Sequence, residues 1–451
     1  GIAVCNVNKI SKTKAHSFAE YLHSNFPLVR ETFKEKSDLL NAIKLLANLY
    51  DLNISDSIVE ATLQELLEKY DNLTKSYDPT ERLIQLAPTC QDVLLKCKWG
   101  GIEYDCHEII FSRITFDGIC CIFNYIRPIG RPKVFKKLNK NNNLPFEARN
   151  GMGSGPKKGL QLVMKDTSDD YFVTTTDIRG YVVSIFNPMD FPDKNSGSLS
   201  EVMANVGTEV FIGIKVSITN PNKAIRILPT RMRKCIFHDE LHTDFGNYRH
   251  SDCLASCKMH AMKMLCQCIP FSQPVDDYNY CTLTDLPCLS NFYRKWTSYY
   301  PENEDSPALN FERENSIDCR HCFSVCKDQT YFVSVDVLPI AINPTNITYV
   351  NVFFERSFGD SLKIDLVQYW YELVSSCGGF ISLLMGLSFI SFAEMFVLMY
   401  KLVVFCLRKR KQSKIFGVVT IVKQTGAAVV PTTNNKSKAE LYRNNYVNFF
   451  Y

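Results

Sequence analysis

The residues best placed to do chemistry are cysteines. The chain of 451 residues carries 18 of them, sixteen before residue 330. Cytosolic chains rarely hold so many without metal work, whereas an oxidising compartment turns them into a disulfide framework. Ten fall between residues 235 and 326. Cys253 and Cys257 are four apart, on one face of a helical stretch starting near Asp252. Cys319, Cys322 and Cys326 are three and seven apart, again the spacing of one helical face. Two antiparallel helices joined along such faces pair residues at a nearly constant index sum, and Cys253–Cys322 and Cys257–Cys319 give 575 and 576. Cys235–Cys326 then closes the outside of the ladder, and Cys266–Cys288 and Cys268–Cys281 close its distal loop. Each bridge would contribute about 2–4 kcal/mol by restricting the unfolded chain. The competing chemistry is half a zinc site at Cys319-Arg-His-Cys322. The even count argues for bridges, so no metal and no cofactor are expected. Catalysis has no foothold. The eight histidines form no HExxH, there is no GxSxG, and His107 beside Cys106 reads as a surface histidine.

An oxidising compartment needs a membrane between these cysteines and the cytosol. From Leu373 to Tyr400 the one formal charge is Glu394. Its densest apolar part, Cys377 to Tyr400, would make about 36 Å of helix, enough to cross a hydrocarbon core of about 30 Å. Lys401, Arg408, Lys409, Arg410, Lys411 and Lys414 follow, with no acid until Glu440. The positive-inside rule then puts the tail in the cytoplasm and residues 1–372 outside. Sequons at Asn53, Asn72 and Asn346 fall in the outer part, while Asn435-Lys-Ser437 lies inside and should stay bare. The tail, 408–451, reads as disordered. A net charge of +4 gives no reason to expect nucleic acid as a partner. The first residue is Gly1 and no signal-peptide pattern precedes Cys5, so the chain reads as a processed product or a fragment.

The outer region divides by hydrophobic period. Residues 37–50 place Leu39, Ile43, Leu46 and Tyr50 on one helical face, and 57–70 do the same with Val59, Leu63, Leu66, Leu67 and Tyr70. Ser57 with Glu60 reads as a capping box. The pair suggests a helical hairpin ending in the polar stretch 71–81. From 100 to 235 the segments are short and β-rich: Ile109–Phe116, Leu160–Met164, Tyr181–Phe186 and Val210–Ser217. They predict a predominantly antiparallel sheet. The runs 133–143 and Gly151–Gly159 read as solvated loops, the second without the helix that a phosphate-cradling loop requires.

The order of these features resembles the degenerin/epithelial sodium channel family. Val4-Cys5-Asn6 is similar to the segment that follows the first span of such subunits. Cys97-Lys-Trp-Gly-Gly-Ile-Glu-Tyr-Asp-Cys106 and Gly118-Ile-Cys120-Cys121-Ile-Phe123-Asn124 resemble its finger and palm cysteines, the doubled cysteine looking like the pickpocket subgroup of insects. Gly155–Leu160, Gly180-Tyr-Val-Val, Phe191-Pro192-Asp193 and Arg233-Lys-Cys235-Ile-Phe237-His-Asp-Glu240 also fit. Cys377-Gly378-Gly379 and Leu384-Met-Gly386-Leu387-Ser388-Phe-Ile-Ser-Phe-Ala-Glu394 match its Gly-Gly and Gly/Ser-x-Ser signature. The resemblance covers residues 1–407.

It implies a trimeric, amiloride-sensitive, Na⁺-selective channel of the plasma membrane. Its α+β ectodomain would be disulfide-rich, with an antiparallel β palm and helical finger and thumb, followed by a transmembrane helix. The expected division is finger helices at about 33–85, palm strands at about 100–234 and 331–356, thumb 235–330, pore helix 373–407 and tail 408–451. The remaining outer cysteines then pair as Cys5–Cys120, Cys97–Cys106 and Cys90–Cys121. Gly386, Leu387 and Ser388 would form the selectivity filter. Ser375 matches the position where bulky side chains hold such channels open. Gly379, Ser382, Ser391 and Glu394 would line the pore. The implied partners are membrane lipid, identical or related subunits, permeant Na⁺ and an extracellular ligand. Family subunits also have a first span and a cytoplasmic His-Gly motif, and this chain starts after both. The tryptophan that acid-sensing members place three residues before the first thumb cysteine is Met232 here, which argues against proton gating through that contact. The alternative of another class is a single-pass, cysteine-rich receptor or adhesion ectodomain, which leaves the small and hydroxylated residues of the span without a purpose.

Overall fold

The computed structural model describes residues 1–422 except 53–56, 71–77, 128–133, 136–137, 140–147, 152, 244, 274, 276–278, 302–306, 342–345 and 387. Asn53, Asn72, Leu387 and the tail from 423, Asn435 included, lie outside the described residues. The chain separates into two units, Gly1–Leu366 and Val367–Tyr451.

Runs of β-branched and aromatic residues in the first unit build two sheets. The smaller is antiparallel throughout, in the order β10 (Leu199–Asn205), β9 (Gly180–Phe186), β1 (Ile2–Asn6), β6 (Gly118–Phe123) and β5 (Ile110–Thr115). Every residue of β1 and β9 is buried, which is why both read as continuous apolar runs rather than alternating ones. The larger sheet runs β16 (Asp328–Pro339), β11 (Thr208–Pro221), β17 (Ile347–Phe354), β7 (Leu160–Lys165), β3 (Leu94–Trp99) and β4 (Ile102–Tyr104), with β18 (Asp360–Ile364) also on β11. Three short pairs complete the strands: β2 (Asn8–Ser11) with β8 (Tyr171–Thr174), β12 (Cys235–Ile236) with β15 (Ser324–Val325), and β13 (His242–Thr243) with β14 (Gly246–Asn247).

The two large sheets are predominantly antiparallel, as predicted, and the parallel pairings in them both involve β11. β11 is antiparallel to β16 from Thr208↔Pro339 to Thr219↔Asp328, but parallel to β17 over its first half and to β18 over its end. The glycine-rich loop is also tied more firmly than a solvated loop would be. A Cβ on Gly159 would sit 2.0 Å from the Val352 carbonyl oxygen, so only glycine lets the loop meet β17.

The helices α1 (Lys12–Asn25), α2 (Pro27–Thr32), α3 (Lys36–Lys44), α4 (Ser57–Tyr70) and α5 (Thr80–Leu86) share a core with the thumb. The predicted helix 37–50 is α-helical only to Lys44 and tightens to a 3₁₀ turn over Leu45–Leu49. Leu39, Ile43, Leu46, Leu63, Leu66 and Leu67 are buried as the period requires, but Val59 is exposed. Glu60 is fully buried and accepts a hydrogen bond from Asn48 Nδ2 at 2.9 Å.

The thumb has one long helix, His250–Cys266, carrying Cys253 and Cys257. The second helix expected at Cys319–Cys326 does not form. Asp318 takes the backbone N–H of Arg320 at 3.2 Å, Cys322 N–H bonds to Cys319 O at 2.9 Å, and the chain leaves as β15. An aspartate that bonds its own backbone two residues on favours a turn over a helix. The disulfides are Cys5–Cys120, Cys90–Cys121, Cys97–Cys106, Cys235–Cys326, Cys253–Cys322, Cys257–Cys319, Cys266–Cys288 and Cys268–Cys281. Cys377 and Cys406 are free.

Candidate functional site

The second unit carries the expected pore residues, and it is not one continuous helix. A helix Trp370–Met385 ends at Gly386, and a second, Phe389–Val422, begins three residues on. Among the described residues, Phe389–Arg410 is the one stretch long and apolar enough to span a membrane. The single helix Cys377–Tyr400 is therefore corrected to two helices with a break between them.

The break follows from three residues. Gly386 has φ +62°, the left-handed conformation that closes helices and that glycine adopts without strain. Ser388 starts the next helix. Its Oγ accepts the Ser391 N–H at 3.3 Å, Ser391 Oγ accepts the Ser388 N–H at 3.4 Å, and Phe392 N–H bonds to Ser388 O at 3.2 Å. This is a capping box with serine in the place of glutamate.

Ser375, Gly379 and Ser382 follow one another at i, i+4 and i+7, so they share one face of the first helix. Ser391 and Glu394 are three apart on the second. Ser375, Ser382, Ser388 and Glu394 are exposed in the single chain, and Ser391 is half-buried. At the end of Trp370–Met385 the last carbonyls lack intrahelical partners and carry partial negative charge. Inside a membrane such groups are tolerated only against protein or water, and they can replace part of a cation's hydration shell.

The chain reaches this unit from β18. Asn222 donates from its backbone to Ile364 O at 2.8 Å and from Nδ2 to Asp365 Oδ1 at 2.8 Å. Ile364 and Leu366 pack on Ile225, Phe237 and the Cys235–Cys326 bridge.

A buried charge cluster at the start of the thumb helix was not legible in the sequence. Arg127 and Asp252 lie 3.0 Å apart with almost no exposure, Arg127 stacking over Phe245 at 4.6 Å and Phe191 at 5.3 Å. Asp252 is pushed up to about 6, by burial first, with Arg127 opposing. Arg249 donates to Asp190 Oδ1 at 2.8 Å, and burial raises Asp190 as well. The groups come from 127, 190 and 249–252, and no local spacing joins them.

The zinc alternative is closed by bonding. Cys253, His321 and Cys322 come within reach of one another, but both sulfurs are spent on their mutual disulfide. Of the glycosylation candidates, Asn346 is exposed at the start of β17.

Comparison with known proteins points the same way. The family described as amiloride-sensitive sodium channel matches residues 1–398. The chain is 28% identical over 353 residues to the sodium channel protein Nach of Drosophila ananassae, covering 74% of this chain and 60% of that protein. It is 23% identical over 362 residues to pickpocket protein 28 of Drosophila melanogaster, covering 70% and 57%. Against Nach of Drosophila virilis the figures are 24% over 362 residues, 77% and 84%. The chain thus spans about three-fifths of the length of the first two relatives. With the family matched over most of its length, and with a disulfide-rich α/β ectodomain followed by a broken apolar segment, this chain belongs to the amiloride-sensitive sodium channel family.

Proposed function

We propose that the chain is a subunit of a trimeric, amiloride-sensitive, Na⁺-selective cation channel, a pickpocket- or Nach-like member, and not an enzyme. The observation that carries this is the helix break at Gly386–Ser388 inside an apolar segment of a chain of this family. A simple anchor gains nothing from it, since unpaired backbone groups are costly in hydrocarbon. Around a threefold axis the break gives three sets of carbonyls and hydroxyls at one level, with Gly386, Leu387 and Ser388 as the filter. Ser375, Gly379 and Ser382 line the outer path, with Ser375 at the gate. Ser391 and Glu394 lie inward, and Glu394 adds a ring of negative charge that concentrates cations.

In this reading residues 1–372 face outward as finger (about 33–85), palm (about 100–234 and 331–356) and thumb (235–330). The pore segment, two helices with the break between them, takes 373–407, and the tail 408–451 is cytoplasmic, which the basic flank supports. Expression of the full-length product in oocytes should give a resting or ligand-evoked inward current that amiloride blocks and that disappears when Na⁺ is replaced by a large organic cation. Ser375→Val should raise the resting current, and enlarging Ser388 should lower Na⁺ over K⁺ selectivity. Surface-expressed protein without Na⁺ current, alone or with related subunits, would favour the receptor reading.

A further inference from the structure

A cavity of about 260 Å³ lies inside the first unit, where Leu49–Leu52, the Phe116–Asp117 turn, Thr175–Thr176, the thumb helix, Pro270–Gln273 and Tyr293–Thr297 meet, with Lys9 and Lys194 also on its walls. That size is just below the usual range for drug-sized ligands and suits a small organic molecule. Tyr50, Phe116, Phe271 and Trp296 form its apolar walls, Tyr50 and Phe271 meeting edge to face at 5.0 Å.

Three ammonium groups reach the cavity, and two are accounted for. Lys194 pairs with Asp117 Oδ1 at 2.8 Å and Glu201 Oε1 at 3.0 Å. Lys9 donates to the carbonyls of Asp117 and Asn6 at 2.7 and 3.3 Å. Lys258 differs. It is 3% exposed and lies 4.6 Å over the Phe116 ring, with Asp193 Oδ1 3.9 Å from its Nζ. The Asp193 carboxylate meanwhile takes the Asn195 N–H at 3.4 Å and the Tyr299 hydroxyl at 3.3 Å. Among the described residues Lys258 Nζ makes no hydrogen bond, and its one ion pair is the long contact to Asp193.

Two further polar atoms on the same walls lack partners among the described residues. They are Oε1 of Gln273, a residue 3% exposed, and Oγ1 of Thr176. Leaving a buried polar atom without a partner is unfavourable, and holding a buried ammonium with only a distant carboxylate is too. An ammonium seeking an acceptor and an amide oxygen seeking a donor, across an aromatic cavity, define a guest that supplies both.

We propose that this cavity binds a small carboxylic acid that carries an N–H donor and an apolar body. The carboxylate meets Lys258 Nζ, the N–H meets Gln273 Oε1, and the body lies against the aromatic walls. Asp51 and Asp117, which also line the cavity, favour the donor end and disfavour a second negative charge on the guest. Binding is independent of ion conduction.

Calorimetry on the full chain in detergent tests this at constant ionic strength. The probes are hippurate, its neutral amide hippuramide, and O-benzoylglycolate, an ester isostere without the N–H. Hippurate should bind saturably and about tenfold or more tightly than hippuramide, because a charge-assisted hydrogen bond is lost in the amide. Lys258→Met should erase that preference, and Gln273→Leu should erase the preference for hippurate over the ester. If Lys258→Met does not fold, the three probes on the unaltered chain and on Gln273→Leu decide. No hippurate binding at millimolar concentration, as for a cavity that holds only water, overturns the proposal. So does equal binding of acid and amide, or a preference that survives both variants.

Discussion

Replacing Gly386 separates a backbone requirement from a packing one. Its φ of +62° is left-handed, and a Cβ built there meets nothing within 4 Å. Sterics against neighbours therefore contribute nothing within the chain, and the cost lies in the backbone. Alanine in that conformation costs about 1 kcal/mol. Alanine also favours the uninterrupted helix over glycine by about 1 kcal/mol. Together Gly386→Ala moves the balance between broken and continuous helix by about 2 kcal/mol, close to 30-fold. Asparagine tolerates the left-handed region and gains little helix propensity, so Gly386→Asn should shift it by less than about 1 kcal/mol. Valine, β-branched, should do worst. A packing role ranks by volume instead, with alanine mildest. The assay is the reversal potential under Na⁺/K⁺ bi-ionic conditions, at surface expression matched by biotinylation. Selectivity should fall in the order Asn, Ala, Val. If Gly386→Ala keeps the reversal potential while Gly386→Asn collapses it, the backbone argument is wrong.

Cys235–Cys326 spans 91 residues, worth about 4.6 kcal/mol as an isolated loop, but nested on Cys253–Cys322 it closes only about 22 more, worth about 3.4 kcal/mol. Its removal should thus cost more in thermal unfolding when Cys253–Cys322 and Cys257–Cys319 are also absent; a cost independent of background would discredit the nested account. Asp252 has a folded-state value near 6, above its ordinary 3.8. Its contribution is therefore present below about pH 4 and lost as pH rises through 6, by up to about 3 kcal/mol. Unfolding temperatures from pH 4 to 7.5 should fall more steeply in the unaltered chain than in Asp252→Asn, and parallel profiles would remove the linkage. Glycosidase should lower the mass through Asn346, Asn53 or Asn72 and never through Asn435; glycan on Asn435 reverses the proposed topology.

What the sequence disclosed was local. α4 starts and ends where the period of Leu63, Leu66 and Leu67 says, because its apolar face is a property of one segment. The thumb cysteines pair as their spacing predicts, without the second helix that the spacing also predicts. A constant index sum holds for any two antiparallel passes, helical or not, so Cys319 and Cys322 meet Cys257 and Cys253 although their segment is a turn set by Asp318. Gly386 and Ser388 hinted at a break, but only the left-handed glycine and the Ser388–Ser391 box locate it. The parallel pairing of β11, the Arg127–Asp252 contact and the Lys258 cavity join residues tens to hundreds of positions apart. Spacing carries no record of such meetings.

β11 also has a mechanical consequence. Its end carries β18 in parallel register from Ser217↔Asp360 to Pro221↔Ile364, and β18 is the last strand before the membrane segment. Because the chain joins β18 to that segment, any load carried by the chain meets these ladder bonds before it meets the rest of the large sheet. β16 grips the other edge of β11 over twelve paired positions. β11, paired on both edges, ties that load into the large sheet, and Ile364 and Leu366 are held in addition by packing on the Cys235–Cys326 bridge.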